Sequence, residues 1–351
     1  MNPLAGKRRV VVKVGSSLLV DAGGGLREAW LDALAADVCA LDTEAVLVSS
    51  GAVALGRTRL GLSGPLSLSE KQACASAGQS RLTRGYERAF AAHGRVAAQA
   101  LLTLQDTEVR RRWLNARATL DTLLKLRAVP VVNENDTVAT DEIRYGDNDR
   151  LAARTAEMVG ADLLVLLSDV DGLYTADPRS NPDAEHIAVV EELTDSVLAL
   201  GGGAGSAHGT GGMATKLLAA RIATGAGCDM VICDGREPGA LRRLGEGARH
   251  TLFQSQGKRS ARAGWIANSL LPSGTLHIDA GAAQALQRGK SLLAVGITRV
   301  DGAFSSGDTV SLHGPGGEIA RGLARFGRAE LSAMGAEKGR VVVHRDDMVM
   351  V

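Results

Sequence analysis

Short apolar runs and longer amphipathic stretches take turns along the first 250 residues. Arg9–Val14, Ala45–Val48, Val96–Leu104, Ala128–Val132, Leu163–Leu167 and Asp229–Cys233 are dense in branched aliphatic residues and read as buried strands. Between them, Leu26–Leu41 sets Leu26, Trp30, Leu34, Val38 and Leu41 at helical spacing. Residues 69–92 predict a helix with Ser69 as candidate N-cap and Glu70 in the first turn. Glu108–Arg127, Asp149–Val159 and Leu217–Thr224 complete the predicted helices. Strands that alternate with helices predict an α/β fold, a parallel sheet covered on both faces.

After about residue 250 the pattern changes. The basic run Lys258–Arg262 opens a predicted linker over 258–272, which divides a first domain, 1–257, from a second, 273–351. The second has short strand-like segments (TLHID, SLLAVGITRVDG, DTVSLHG, EIARGLARF and RVVVHRDD) between glycine turns, and predicts a small β-rich domain, closed or half-closed as a barrel.

Composition narrows the class. Hydrophobic residues at 45% and charged residues at 23% describe an ordinary globular chain, and the net charge of +1 points to no polyanionic partner. Residues 258–351 hold 12 Lys+Arg against 8 Asp+Glu, a mildly basic +4. The 43 glycines cluster in short loops, suited to tight strand-to-helix turns. Cys39, Cys74, Cys228 and Cys233 lack C-x-x-C spacing and read as free, buried thiols. The basic-then-apolar start, MNPLAGKRRVVVKVG, is interrupted by Lys13 and reads as a first strand rather than a signal peptide. No run approaches a membrane span. A cytoplasmic location is expected.

Candidate chemistry sits at the predicted C-terminal ends of the strands, where ligands bind in open α/β sheets. Residues 133–149, NENDTVATDEIRYGDND, crowd acids and amides after the strand at 128–132, a composition suited to a polar small molecule with its own amine. Lys13 lies within an apolar strand, one residue before Gly15-Ser16-Ser17. Its charge needs either a buried partner such as a phosphate or a route to water. Gly209-Thr210-Gly211-Gly212-Met213-Ala214-Thr215-Lys216 runs into a helix start. Backbone N–H groups and the helix dipole make an anion site there, with a flexible linker as the plain alternative. The spacing is not that of a P-loop. Asp149 has three readings: an acid that holds two lysines near one phosphate, a metal contact, or a helix N-cap. His208 beside the glycine loop reads as a solvated side chain. Together these features imply phosphoryl transfer, which asks of a protein mainly positioning and positive charge.

The motifs KVGSS (13–17), SSGAVALG (49–56), NENDTVAT (133–140), GDND (146–149), SDVDGLYTADPR (168–179) and GTGGMATK (209–216) form a set. It resembles the glutamate 5-kinase branch of the amino-acid-kinase family, and SGTLHIDAGAAQAL, GITRVDGAFSSGD and HRDDM resemble its appended PUA domain. The resemblance covers essentially the whole chain. It implies a three-layer αβα sandwich with a mainly parallel sheet, binding ATP with Mg²⁺ and L-glutamate at the sheet's C-terminal edge. By motif match, Lys13 and Lys216 would stabilise the transferring phosphoryl group and Asp149 would organise the two lysines. Ser50, Asp136 and Asn148 would bind glutamate. Lys13, Ser168 and Asp169, with Thr210, Gly211, Gly212, Met213, Ala214, Thr215 and Lys216, would bind ATP. The resemblance further implies a place at the first step of proline biosynthesis, proline as an inhibitor, and a homo-oligomer, dimer or tetramer. Gly-Ser-Ser at 15–17 departs from the family's frequent Gly-Thr-Ser but keeps the hydroxyl.

Two alternatives stand beside this reading. One is a related kinase that phosphorylates aspartate or N-acetylglutamate, against which NENDTVAT and the appended domain argue. The other is RNA binding through the C-terminal domain, for which only Phe304 and Phe326 follow Trp265 as aromatic rings to stack on bases.

Overall fold

The computed structural model describes residues 2–138, 147–202, 212–255, 257, 272–334 and 339–350. It divides into two compact units, residues 1–107 with 115–258 and residues 108–114 with 259–351.

The first unit is built on one sheet. Its strands are β1 (Arg9–Val14), β2 (Glu44–Ser49), β3 (Ala97–Leu102), β4 (Val129–Glu134), β5 (Leu163–Ser168), β8 (Val189–Val190), β9 (Asp229–Asp234) and β10 (His250–Phe253), and a short hairpin of β6 (Leu173–Tyr174) and β7 (His186–Ile187) stands apart. The sheet order is β3-β4-β2-β1-β5-β9-β10-β8. The first six in that order run parallel, β10 is antiparallel to β9, and β8 follows β10 in parallel. Because β1 sits in the middle and pairs with both β2 and β5, the turns after these three strands open side by side at one edge.

The helices are α1 (Ser16–Leu19), α2 (Glu28–Ala40), α3 (Ala52–Arg59), α4 (Leu68–Ala91), α5 (Leu104–Glu108), α6 (Arg110–Lys125), α7 (Asp147–Val159), α8 (Asp195–Ala199), α9 (Met213–Gly225) and α10 (Ala240–Gly245). Strand alternation assigns the sheet faces. Val10, Val12 and Val14, with Ala45, Leu47, Val129, Val131, Leu163, Val165 and Leu167, share a core with α2, α4 and α10. Val11 is fully buried on the opposite face, and Lys13 follows it there by the two-residue period.

The structure shifts several predicted boundaries. The N-cap of α4 is Ser67 rather than Ser69: Ser67 Oγ accepts from Glu70 N at 3.3 Å and Glu70 Oε2 accepts from Ser67 N at 2.8 Å, a reciprocal capping box. The single helix expected over 108–127 is two, α5 and α6, interrupted at Val109. Thr103 and Asp106 cap each other and start α5 early, with Thr103 N donating to Asp106 Oδ2 at 2.7 Å. Asn133 and Glu134 belong to β4 rather than to the loop after it, since β4 stays in register with β3 as far as Leu102↔Glu134. The cysteines are all unpaired, with Cys39 half-buried and the other three buried. Burial raises each thiol, that of Cys233 to about 12, which leaves them protonated and inert.

The second unit contains β11 (Gly274–Ile278), β12 (Leu292–Leu293), β13 (Ile297–Gly302), β14 (Thr309–Gly314), β15 (Gly317–Leu323), β16 (Val341–Val343) and β17 (Met348–Met350). Five of these form a sheet in the order β13-β11-β14-β15-β17, and β12 pairs with β16. Two helices were not expected here, α11 (Ala280–Gln287) and α12 (Arg328–Met334). Asp279 caps α11, its carboxylate accepting from Ala282 N at 2.7 Å. Phe304 is buried, and Phe326 is half-buried against the same core with the Arg340 guanidinium 5.5 Å from its ring centre.

Candidate active site

Lys13, the penultimate residue of β1, extends toward α7 and α9, the helices on the face opposite the α2/α4 core. Asp149 is the third residue of α7 and is 1% exposed, and Lys216 stands in the first turn of α9 at 6%. Lys13 Nζ lies 2.7 Å from Asp149 Oδ1, and Lys216 Nζ lies 3.5 Å from Oδ2. Thr215 Oγ1 donates to the same Oδ2 at 2.9 Å. One carboxylate, from α7, thus bridges two ammonium groups delivered by β1 and α9.

The electrostatics follow from this geometry. Burial alone would raise the Asp149 carboxyl. The charges of Lys13 and Lys216, with hydrogen bonds from Lys13 and Thr215, outweigh that and hold it below the ordinary carboxylate value. It is therefore an anion at neutral pH, and the group as a whole carries one net positive charge. Asp149 lies inside α7 with Lys13 against Oδ1 and Lys216 and Thr215 against Oδ2, the arrangement that the lysine-organising reading calls for.

The α9 N-terminus faces this group. Its N-cap is Gly212, which supplies no side-chain cap, and Thr215 N donates to the Gly212 carbonyl at 3.2 Å. Met213, Ala214, Thr215 and Lys216 form that first turn. Thr210 and Gly211, and also His208, lie outside the described residues.

A second cluster adjoins the turn after β2. Asn148, one residue before Asp149, donates from Nδ2 to Ser50 Oγ at 2.6 Å. Its Oδ1 is buried with no hydrogen-bond partner among the described residues, an acceptor suited to an N–H group from a ligand. Gly51, next to Ser50, has φ of +101° and starts α3 from a left-handed conformation. A Cβ there would be strained and would press on Val20 Cγ2 at 3.3 Å, so glycine lets the turn after β2 lie against the turn after β1.

Asp136 lies two residues beyond β4, on the wall of a 660 Å³ groove that Asn135, Thr137 and residues of α4 and β3 also line. Burial raises its carboxyl to about 6. On the other side of β1, Ser168 ends β5, and its Oγ donates to Asp169 Oδ1 at 3.1 Å. The Gly235 N–H donates to the Ser168 carbonyl at 2.8 Å, which ties the ends of β5 and β9 together. Arg236 follows, paired with Asp234 at 2.6 Å and in the field of Asp169 and Asp171. The sequence reading gave Arg236 no role, although its place just after an apolar strand was the available cue.

The sites thus fall into groups. Lys13, Asp149, Lys216 and Thr215 meet directly; Asn148 meets Ser50; Ser168 meets Asp169. Two independent comparisons bear on what such a site is for. Residues 8–234 match the model of the amino acid kinase family, and residues 274–345 match that of the PUA domain. The chain belongs to the amino acid kinase family. Among curated relatives, the glutamate 5-kinase of Paramagnetospirillum magneticum is 54% identical, with 100% of both chains covered. Glutamate 5-kinase 1 of Rhizobium meliloti is 54% identical over 98% of this chain and 92% of its own. The Caulobacter vibrioides glutamate 5-kinase is 54% identical over 98% and 96%. Among solved structures, UMP kinase from Ureaplasma parvum aligns at 14% identity with a TM-score of 0.49, over 71% of this chain and 99% of its own; at that score it adds nothing to the assignment. Within the family assignment, the protein is a kinase with an α/β kinase unit, a mainly parallel sheet and a C-terminal PUA domain. Among the described residues, no helix is long and apolar enough to cross a membrane.

Proposed function

We propose that the protein transfers the γ-phosphoryl group of ATP to the γ-carboxylate of L-glutamate, giving ADP and L-glutamyl 5-phosphate for proline biosynthesis. The observation that carries phosphoryl transfer is the pair of lysines, Lys216 buried and Lys13 half-buried, bridged by Asp149 at the C-terminal edge of a parallel sheet. The acceptor's identity is supported by the full-length likeness to glutamate 5-kinases.

In this reading the γ-carboxylate oxygen attacks the γ-phosphorus and the bond to the ADP oxygen breaks. A carboxylate is already ionised at neutral pH, so no general base is required. Lys13 and Lys216 meet the negative charge spread over the moving phosphoryl oxygens, and Asp149 keeps the two ammoniums from repelling each other before ATP arrives. The start of α9, with the 210–216 segment, Ser168 and Asp169, holds the nucleotide. Ser50, Asn148 and Asp136 hold glutamate, with the open Asn148 Oδ1 and the Asp136 carboxylate as acceptors for its ammonium.

Mg²⁺ belongs to the same reading. The described residues offer no group of three His, Cys, Asp or Glu to cage an ion, and Mg²⁺ commonly binds through phosphate oxygens with few protein ligands. Carried on the nucleotide, it would neutralise part of the phosphate charge.

Asp136 gives the reading a pH signature. Its carboxyl, raised to about 6, must be ionised to pair with an ammonium. Glutamate kcat/KM is therefore expected to fall below about pH 6, well above the ~4.3 of the substrate's own side chain. Asp136→Asn is expected to raise the glutamate KM and flatten that limb between pH 5 and 7. A wild-type limb that persists unchanged in the variant would assign the ionisation elsewhere.

Inhibition by proline is also proposed, since the Asp136 groove accepts a second amino acid by the same ammonium contact. At subsaturating glutamate, millimolar proline is expected to slow the reaction. An unchanged rate would remove this part of the reading. Glutamate-dependent formation of a hydroxylamine-trappable acyl phosphate tests the function itself.

A further inference from the structure

On the α2/α4 face of the sheet, two neighbouring strands keep an apolar alternation until their last position there and then change to a polar residue. In β2 the series is Ala45, Leu47, Ser49; in β4 it is Val129, Val131, Asn133. Ser49 is 0% exposed and Asn133 is 2% exposed. A polar group so buried needs a hydrogen-bond partner, and both find one on a single helix. Tyr86 Oη donates to Ser49 Oγ at 2.9 Å, and Asn133 Nδ2 donates to Gln79 Oε1 at 2.7 Å. Gln79 and Tyr86 are seven residues apart, two turns of α4, so they share its inward face.

The chain continues from each contact into the glutamate-binding positions. Ser49 Oγ donates to the Ser50 carbonyl at 3.2 Å, and the Ser50 hydroxyl receives the Asn148 amide. Asn133 Oδ1 accepts from Glu134 N at 2.9 Å, at the start of the segment that carries Asp136. The helix is rigidly held against this region. A Cβ on Gly78 would lie 1.9 Å from the Ala52 carbonyl oxygen, so α4 touches the backbone at the start of α3. Tyr86 itself is 1% exposed and packed among the large core side chains.

We infer that Tyr86 and Gln79 are positioning residues for the acceptor site: α4 sets the spacing between the turn after β2 and the segment after β4, through Ser49 and Asn133, and Gln79 does so from the wall of the Asp136 groove itself. The inference rests on the reading that Ser50 and Asp136 contact glutamate. Neither positioning side chain touches the phosphoryl centre of Lys13, Asp149 and Lys216, so their loss should act on the acceptor alone.

The test is steady-state kinetics of the full-length protein, with glutamate and ATP varied separately. Tyr86→Phe keeps the ring and removes only the hydroxyl. It is expected to raise the glutamate KM about fivefold, with kcat and the ATP KM within twofold of wild type. Gln79→Leu is expected to do the same, and Gln79→Glu, which retains an acceptor oxygen for Asn133, to restore most of the affinity. Ser50→Ala is the control for the underlying reading. If Ser50→Ala raises the glutamate KM while Tyr86→Phe and Gln79→Leu lower only thermal stability, the two residues are structural and the inference fails. If Ser50→Ala leaves the glutamate KM unchanged, the acceptor reading fails and the inference falls with it.

Discussion

Lys216→Ala is expected to lower kcat about a thousandfold while the protein remains folded. Removing one preorganised donor from a charge-stabilising site commonly costs about 10²–10³ in rate. Lys216 brings a full charge at 6% exposure, where screening by water is weak. A thousandfold corresponds to about 4 kcal/mol of lost transition-state stabilisation. The fold should survive because Asp149 keeps its shorter contact, Lys13 at 2.7 Å, and its bond from Thr215. The substitution should act on kcat more than on the glutamate KM, since Lys216 meets charge that develops on the transferring group. Hydroxamate formation at saturating substrates, with circular dichroism to confirm folding, checks it. A fall of less than tenfold would take Lys216 out of the reaction.

Asp149→Asn should cost both stability and rate. The carboxylate is the counter-charge for two ammoniums, and the amide would leave Lys13 and Lys216 facing each other with no anion between them. Breaking a buried pair from one side typically destabilises by about 3–5 kcal/mol. The pH dependence has a definite sign. The folded-state pKa of Asp149 lies below its unfolded value, so its contribution is fully present above the unfolded value of about 3.9 and is lost as pH falls through the lowered one. The stability gap between wild type and variant should therefore be constant from about pH 5 to 8 and close only in stronger acid. In rate, we expect a loss of at least a hundredfold, because the lysines no longer hold their places. Urea titrations at pH 7 and pH 3.5 measure the first effect. A gap that widens on acidification would contradict the charge assignment.

Much of this site is legible in the sequence. Lys13 was visible because an ammonium inside a β-branched run is costly, and Lys216 because glycines led straight into a helix. What joined them was not. Asp149 has three readings from spacing alone, and only the placement of α7 against β1 and α9 puts its carboxylate between the two lysines. The Asn148–Ser50 bond joins residues 98 positions apart, and the Gly51 turn lies against Val20 from another part of the chain, both beyond any local pattern.

The fold shows the same division. Six strands were readable as apolar runs, and their parallel order followed from the alternation with helices. The antiparallel end of the sheet, β10 with β8, was not foreseen, because β8 is two residues long and carries no periodicity. The capping box of α4 was available as Ser67-x-x-Glu70, but Ser69 sits beside it and competes for the same role. Asn133 and Glu134 read as loop because they are polar, yet backbone pairing with β3 holds them in the strand. Tyr86 and Gln79 looked like ordinary helix residues; their role appears only when Ser49 and Asn133 are seen beneath them.

The most direct test of the proposed reaction is ADP release from ATP and Mg²⁺ in the presence of hydroxylamine, with L-glutamate, L-aspartate and N-acetylglutamate compared as acceptors. The account predicts a hydroxamate that depends on L-glutamate, forms at least a hundredfold more slowly with the other two acids, and disappears in Lys216→Ala. Hydroxamate from aspartate or N-acetylglutamate but not from glutamate would contradict the acceptor assignment, and wild-type rates in the Lys216 variant would contradict the phosphoryl site.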